Sequence, residues 1–212
     1  MIIAVDGPAA SGKGTVARAL AKHFNLPHLD TGLLYRAVAY TVRRLELDPT
    51  READAVAACG FDDLTLADPA LRDDEVGQMA SVVSAHPLVR AALLQRQKRF
   101  AAQPGGAVLD GRDIGTVIAP TADAKLFVKA NEAVRARRRH AELTARGKDA
   151  SYDQVLADIR ARDRRDSGRA AAPLTQAADA APLDTSDLTV DAAVARAIGI
   201  VEAQVLRGRA DA

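Results

Sequence analysis

Lys13 lies in a glycine-rich stretch, GPAASGKGT, in which Gly7, Gly12 and Lys13 have the spacing G-x-x-x-x-G-K. Glycines let a backbone turn its N–H groups inward around phosphate oxygens, a helix that follows adds partial positive charge at its start, and the lysine reaches the terminal phosphates. Gly7, Pro8, Ala9, Ala10, Ser11, Gly12, Lys13, Gly14 and Thr15 are therefore the expected phosphate cradle. The residue after the lysine is Gly14, not the Ser or Thr that usually offers a hydroxyl to magnesium, and Thr15 comes one position later.

Three more stretches carry chemistry. DTGLLYR places Asp30, Thr31, Tyr35 and Arg36 at the start of a helix, close to where ligands bind in α/β sheets; by themselves Asp30 and Thr31 suit a helix cap equally well. GAVLDGRDIGT is an apolar strand ending in Asp110, a carboxylate placed to hold magnesium directly or through water, with Arg112 and Asp113 in the loop beyond. In RARDRRDSGR, Arg162, Asp166 and Arg169 fall at i, i+4 and i+7, so one helical face carries an Arg, Asp, Arg row, a pattern that salt-bridged surface also produces. Arg135, Arg137, Arg138 and Arg139 pose the same ambiguity. The histidines, His23, His28, His86 and His140, have no metal-ligand spacing and read as core or surface residues.

These residues need rigid elements to hold them. Ile2 to Val5 is an apolar run ending at the glycine loop, the signature of a strand buried on both faces of a parallel sheet. Val16, Leu20 and Phe24 then repeat every four residues, as do Leu34, Val38 and Val42, with Leu45 beyond, so each loop leads into a helix. Residues 106–110 and 124–128 read as further strands, and Val190, Val194, Ile198, Val201 and Val205 as a closing helix. Alternating strands and helices predict a doubly wound α/β fold, a parallel sheet flanked by helices. Residues 51–81 and 135–170 do not look like sheet, and insertions over a sheet edge are natural homes for substrate binding and lids. The alanine-rich stretch 170–181 reads as a connecting segment.

At 212 residues one domain can bury most of its surface. With a net charge of +1 and 3% aromatic residues, there is neither a global field for nucleic acid nor a supply of stacking platforms, so no nucleic-acid partner is expected. Cys59 is the only cysteine, which excludes an intrachain disulfide and suits a reducing compartment. No apolar run approaches the roughly 18 residues of a membrane span. A cytoplasmic monomer without a membrane partner is the expectation.

Taken together, GPAASGKGT, LDTGLLYR, LDGRDIGT and RDRRDSGRAAAPL occur in the order and approximate spacing of the bacterial cytidylate kinases, nucleoside monophosphate kinases of the P-loop class, and the chain resembles that family over essentially its whole length. The resemblance implies phosphoryl transfer from ATP to CMP or dCMP, giving ADP and CDP or dCDP, with Mg2+. It makes residues 7–15 the ATP phosphate loop, with Lys13, Arg112 and Arg162 as the catalytic cations and Thr15 and Asp110 as metal contacts. Arg36, Arg112 and Arg169 resemble the residues that hold the acceptor phosphate. Arg162 and Asp166 resemble the pair near its sugar, with Tyr35 nearby and Asp30 and Thr31 at the same strand end. Ser81, Arg90 and Asp113 match the cytosine contacts.

A small monophosphate-binding insertion is implied over about 50–85 and a helical lid over about 137–150. Residues 64–76 are shorter than the corresponding insertion of many bacterial members. Two rivals remain at this point: a P-loop kinase of a hydroxyl acceptor such as shikimate or a sugar acid, with Asp30 orienting the hydroxyl, and a nucleotide-dependent switch with no acceptor.

Overall fold

A computed structural model describes residues 1–210. Five parallel strands, β1 (Ile2–Asp6), β2 (His28–Asp30), β3 (Ala107–Gly111), β4 (Ala124–Lys129) and β5 (Ala181–Asp184), form one sheet in the order β2-β3-β1-β4-β5. The strands alternate their side chains between two apolar layers. Ile3, Val5, Val108, Leu126 and Val128 face α1 (Lys13–His23) and α8 (Val190–Ala210), while Ala4, Ala107 and Leu109 pack with Ala101 of α5 (Pro87–Ala101) and with Ile114 and Ile118. Both faces are covered, so the strands are apolar without alternation. The doubly wound architecture predicted from the sequence is the one observed.

Three details differ from the sequence reading. Residues 170–180 form no helix or strand, as a connector would, but β5 begins at Ala181, the last residue of that stretch, and is a strand the sequence did not announce. It is four residues long and contains Pro182, which cannot donate to a ladder and is tolerated because β5 is the edge strand. In α8 the buried face runs through Ala193, Ala197 and Val201, and Val190 is exposed; the small alanines let the helix lie close to α1 and the sheet. Leu45 is likewise exposed, because α2 (Thr31–Arg44) ends one residue before it.

Between α2 and α5 the chain forms α3 (Glu52–Ala57), three short 3-10 turns and α4 (Asp74–Val83). This segment builds its own apolar cluster on α2, in which Leu34, Val38 and Val42 meet Ala55, Val76, Ala80 and Val83. After β4, α6 (Glu132–Ala145) and α7 (Tyr152–Gly168) form a hairpin with a small core of Ala136, Leu143, Val155 and Ile159. That shared core joins the two helices over a stretch wider than 137–150. Among the described residues no helix is long and apolar enough to cross a membrane.

Candidate active site

The loops after β1, β2 and β3 open at the carboxyl edge of the sheet, beside the point where the strand order reverses, which is where ligands bind in such folds. A cavity of about 680 Å³ lies there, walled on the outside by α4 and by the α6–α7 hairpin. Lys13 and seven arginines line it against six carboxylates. That excess of positive charge suits an anionic ligand.

The loop after β1 forms as its sequence requires. Gly7 has φ 154°, and a Cβ on it would stand 2.0 Å from the Val128 carbonyl oxygen, so the loop lies directly on β4 because no side chain intervenes. Gly12 caps α1 at φ 88°, a left-handed conformation that glycine adopts freely. The first N–H groups of a helix have no intrahelical acceptor, and those of Gly12, Lys13 and Gly14 donate to no backbone carbonyl among the described residues. Lys13 Nζ stays near the loop, 3.5 Å from the Pro8 carbonyl oxygen. Burial and the neighbouring Arg112 charge push its pKa down to about 8.

β2 and β3 are in register, Asp30 opposite Asp110. Asp30 Oδ1 accepts from the Gly32 N–H at 2.9 Å, so it does cap α2, and it also lines the cavity. The buried Thr31 hydroxyl donates to the Asp110 carbonyl oxygen at 2.8 Å and straps α2 to β3. Asp110 is buried. His28 Nε2 lies 2.7 Å from its Oδ1, and its Oδ2 faces the phosphate loop, 3.6 Å from where a Cβ on residue 14 would stand. The sequence reads His28 only as a core or surface residue; the pairing of β2 with β3 brings it to Asp110. Thr15 is exposed, and its hydroxyl accepts from Arg18 Nη2 at 3.4 Å. Thus position 14, which carries no hydroxyl, is the one that faces Asp110.

The remaining charged residues gather into two groups. In the first, Arg112 Nε donates to Asp166 Oδ2 at 2.8 Å, and Arg162 Nε lies 3.9 Å from the same oxygen. Burial alone would raise the Asp166 pKa, but the Arg112 and Arg162 charges outweigh it and hold the carboxyl below its ordinary range. Burial and the Arg112 charge lower Arg162 to about 10. In the second group, Arg90 pairs with Asp113 in a buried ion pair, Arg90 also donates to the Ser84 carbonyl oxygen, and its guanidinium lies 5.4 Å from the centre of the Tyr35 ring. Arg169 Nη2 stands 3.7 Å from the other Asp113 oxygen, and the buried Ser81 hydroxyl accepts from Arg165 Nε at 3.2 Å. Arg162 Nε and Arg169 Nη2 are buried without a hydrogen-bond partner, a costly condition for groups that end in the cavity wall.

Arg36 reaches the cavity from α2 while donating to the Leu71 and Asp73 carbonyl oxygens at 2.7 and 3.2 Å. Of the residues singled out in the sequence, Ala9, Ala10, Lys13, Asp30, Thr31, Tyr35, Arg36, Ser81, Arg90, Arg112, Asp113, Arg162, Asp166 and Arg169 line this one cavity. Gly7, Pro8, Ser11, Gly12, Gly14, Thr15 and Asp110 lie outside its lining. The α6 arginines, ambiguous in sequence, separate by partner: Arg135 donates to the Ala9 carbonyl oxygen at 3.2 Å and pairs with Asp163, Arg138 binds Thr185, and Arg139 lines the cavity paired with Asp74.

Asp6 supports the Arg112–Asp113 loop from below. Its carboxylate accepts from the Ile114 and Gly115 N–H groups, both at 2.8 Å, and burial raises its pKa to about 6 against the lowering effect of those two bonds. A raised carboxyl pKa means that the folded state prefers the proton. The stability Asp6 contributes is therefore full below its ordinary pKa near 4 and is lost as pH rises through about 6, a change of about 3 kcal/mol. In denaturant titrations at pH 4 and pH 7, the stability of wild type relative to Asp6→Asn is expected to fall by about that amount. A pH-independent difference would contradict the origin of the shift.

A family model described as cytidylate kinase matches residues 3–203. Cytidylate kinases of Xanthobacter autotrophicus, Rhodopseudomonas palustris (strain BisB18) and Nitrobacter winogradskyi are 62%, 59% and 55% identical to the chain. These alignments cover 96%, 96% and 99% of this chain and 98%, 96% and 100% of the relatives. Among solved structures, an uncharacterized protein of Eubacterium ventriosum superposes with a TM-score of 0.55 at 16% identity, over 96% of this chain and 98% of that one. A Thermus thermophilus protein superposes with a TM-score of 0.50 at 24% identity, over 97% of each chain. These two share the fold.

Proposed function

The chain belongs to the cytidylate kinase family, and on that premise we propose that the cavity at the carboxyl edge of its sheet holds CMP or dCMP in line with the γ-phosphate of ATP on the loop of residues 7–15. Its activity is that of a kinase: ATP and CMP give ADP and CDP. The observation that carries the site assignment is the pair of charged groups in one cavity. The buried Arg90–Asp113 pair beside Tyr35 offers a donor and an acceptor for a base, and Arg112, Arg162 and Lys13 offer charge where two phosphates would meet.

Cytosine presents an N4 donor beside an N3 acceptor; Asp113 accepts from N4, Arg90 donates to N3, and Ser81 closes the same end. Arg36 and Arg169 bind the acceptor phosphate with Arg112, while Asp166, held in place by Arg112, faces the sugar with Arg162. Both substrates are anions, and the transferred group passes through a state whose charge must be stabilised, so fixed cations supply most of the rate. The acceptor phosphate, with a second pKa near 6, is already mostly dianionic at pH 7 and needs no general base. This favours a phosphate acceptor over a hydroxyl one, for which Asp30 would have to serve as base while it caps α2.

Mg2+ fits the donor side. Among the described residues no group of three or more His, Cys, Asp or Glu could hold a metal alone. This suits an ion that takes most ligands from nucleotide phosphates and water. Asp110 Oδ2 would bind it through water, since Gly14 offers no hydroxyl; the ion would neutralise charge on the transferred phosphoryl group. The insertion, about 50–85, and the α6–α7 hairpin close over the two substrates from opposite sides and exclude water.

An ADP-release assay over an acceptor panel tests the reading. Turnover dependent on CMP and dCMP is expected; turnover dependent on shikimate or a sugar acid, or hydrolysis without an acceptor, would overturn it. A second test follows from Lys13. Its pKa near 8 in the free protein rises beside bound phosphates, so ATP binding takes up protons above about pH 8. Calorimetry at pH 8.5 in two buffers of different ionisation enthalpy should report uptake of on the order of half a proton. Lys13→Arg should abolish it; binding without proton uptake in wild type would contradict the placement of Lys13 against the phosphates.

A further inference from the structure

Thr185, the residue after β5, is buried, and all its polar atoms have partners. Its N–H donates to the Lys129 carbonyl oxygen at 2.8 Å. Its carbonyl oxygen accepts from Arg138 Nη2 at 2.6 Å. Its hydroxyl accepts from Arg138 Nη1 at 3.0 Å. That hydroxyl has two carbonyl oxygens to donate to, the nearer that of Ser11 at 2.9 Å and the farther that of Lys129 at 3.3 Å, so the Ser11 bond is the shorter one. One hydroxyl therefore joins three elements: the end of β5, the hairpin helix α6 and the loop of residues 7–12.

The bond to Ser11 has a geometric consequence. A peptide unit is planar and trans, so its C=O and N–H point in opposite directions. Fixing the Ser11 carbonyl toward Thr185 turns the Gly12 N–H the other way, to the face on which the loop would cradle phosphates. Gly12 has no side chain to steady it, and its φ of 88° lies in a region from which a glycine can swing. A Cβ on Gly12 would stand 4.0 Å from both Thr185 Oγ1 and Arg138 Nη1, so the pair lies directly against the loop.

We infer that Thr185 is a positioning residue for the ATP phosphates: its hydroxyl, held by Arg138, sets the Ser11–Gly12 peptide and ties the phosphate loop to the α6–α7 hairpin. This rests on residues 7–15 being the donor loop. Thr185→Val keeps the shape and removes the hydroxyl, leaving the Ser11 oxygen and Arg138 Nη1 unpaired. Loss of such a buried bond should raise KM for ATP about tenfold or more while KM for CMP stays within about threefold. Thr185→Ser should return KM for ATP to within about threefold of wild type. A purely structural role would shift both KM values together.

Steady-state kinetics of Thr185→Val, Thr185→Ser and Arg138→Met, with thermal melts, decide the matter. An unchanged KM for ATP in Thr185→Val, equal rises for ATP and CMP, or a serine variant as impaired as the valine one would overturn the inference. If Thr185→Val does not fold, Arg138→Met carries the test, and an unchanged KM for ATP there would overturn it. Lys13→Ala measured in parallel separates the two levels: normal kinetics in that variant remove the donor-loop assignment itself, whereas an impaired Lys13→Ala beside a normal Thr185→Val removes only the role of Thr185.

Discussion

Lys13→Ala and Arg112→Ala are each expected to lose at least about a hundredfold in kcat/KM, the loss that follows removal of one preorganised charge-stabilising donor. The two variants should differ in stability. Lys13 is held below its ordinary pKa by burial and by Arg112, so the folded protein carries its charge at a cost, and removing it relieves that cost. The melting temperature of Lys13→Ala should not fall even as activity collapses, a trade of stability for function seen where active sites concentrate like charge. Arg112, by contrast, is bonded to the buried Asp166, whose other cation is 3.9 Å away. Arg162 would still face that carboxylate, but its one charged hydrogen bond would be lost, at a cost of about 1–3 kcal/mol, so Arg112→Ala should melt lower as well. Turnover near wild type in either variant would remove that residue from the phosphoryl path.

Asp113→Asn should narrow the preference for CMP over UMP in kcat/KM by about tenfold or more. Uracil offers O4 as an acceptor beside an N3–H donor, the reverse of cytosine, and a buried polar group facing its like loses about 1–3 kcal/mol. Asparagine can turn its NH2 toward O4, which the carboxylate cannot. Alanine is the poorer test: both variants lose the counter-charge that Arg90 and Arg169 face, but asparagine keeps an oxygen that can accept from Arg90, whereas alanine leaves that buried donor unpaired as well. A CMP to UMP ratio unmoved in a folded Asp113→Asn variant would take Asp113 out of the base pocket.

Much of this was legible in the sequence because the relevant signals are local. An apolar strand, a glycine loop and a helical stripe fall within 24 residues of the start, and the loops after β2 and β3 announce themselves by a charge at the end of an apolar run. What was not legible depends on pairing between distant segments. β5 carries a proline and only four residues, a pattern that becomes a strand only because β4 offers it an edge. His28 acquires its Asp110 contact from the parallel register of β2 on β3. The arginines of α6 look alike in sequence, yet one ties down Ala9, one binds Thr185 and one lines the cavity; which is which depends on how the hairpin lies over the sheet. Thr185 itself has no sequence signal, since a threonine after a short strand is ordinary until the Ser11 carbonyl lies above it.

Calorimetric titration of the wild-type protein with CMP, UMP and cytidine tests the assignment of the cavity most directly, because the three ligands differ only at the two ends the site is said to read. CMP should bind with one site per chain, while UMP, lacking the N4 donor, and cytidine, lacking the phosphate, should each bind at least about tenfold more weakly. Equal affinity for UMP would contradict the pairing of the base with Arg90 and Asp113, and equal affinity for cytidine would contradict the arginines as the acceptor-phosphate site.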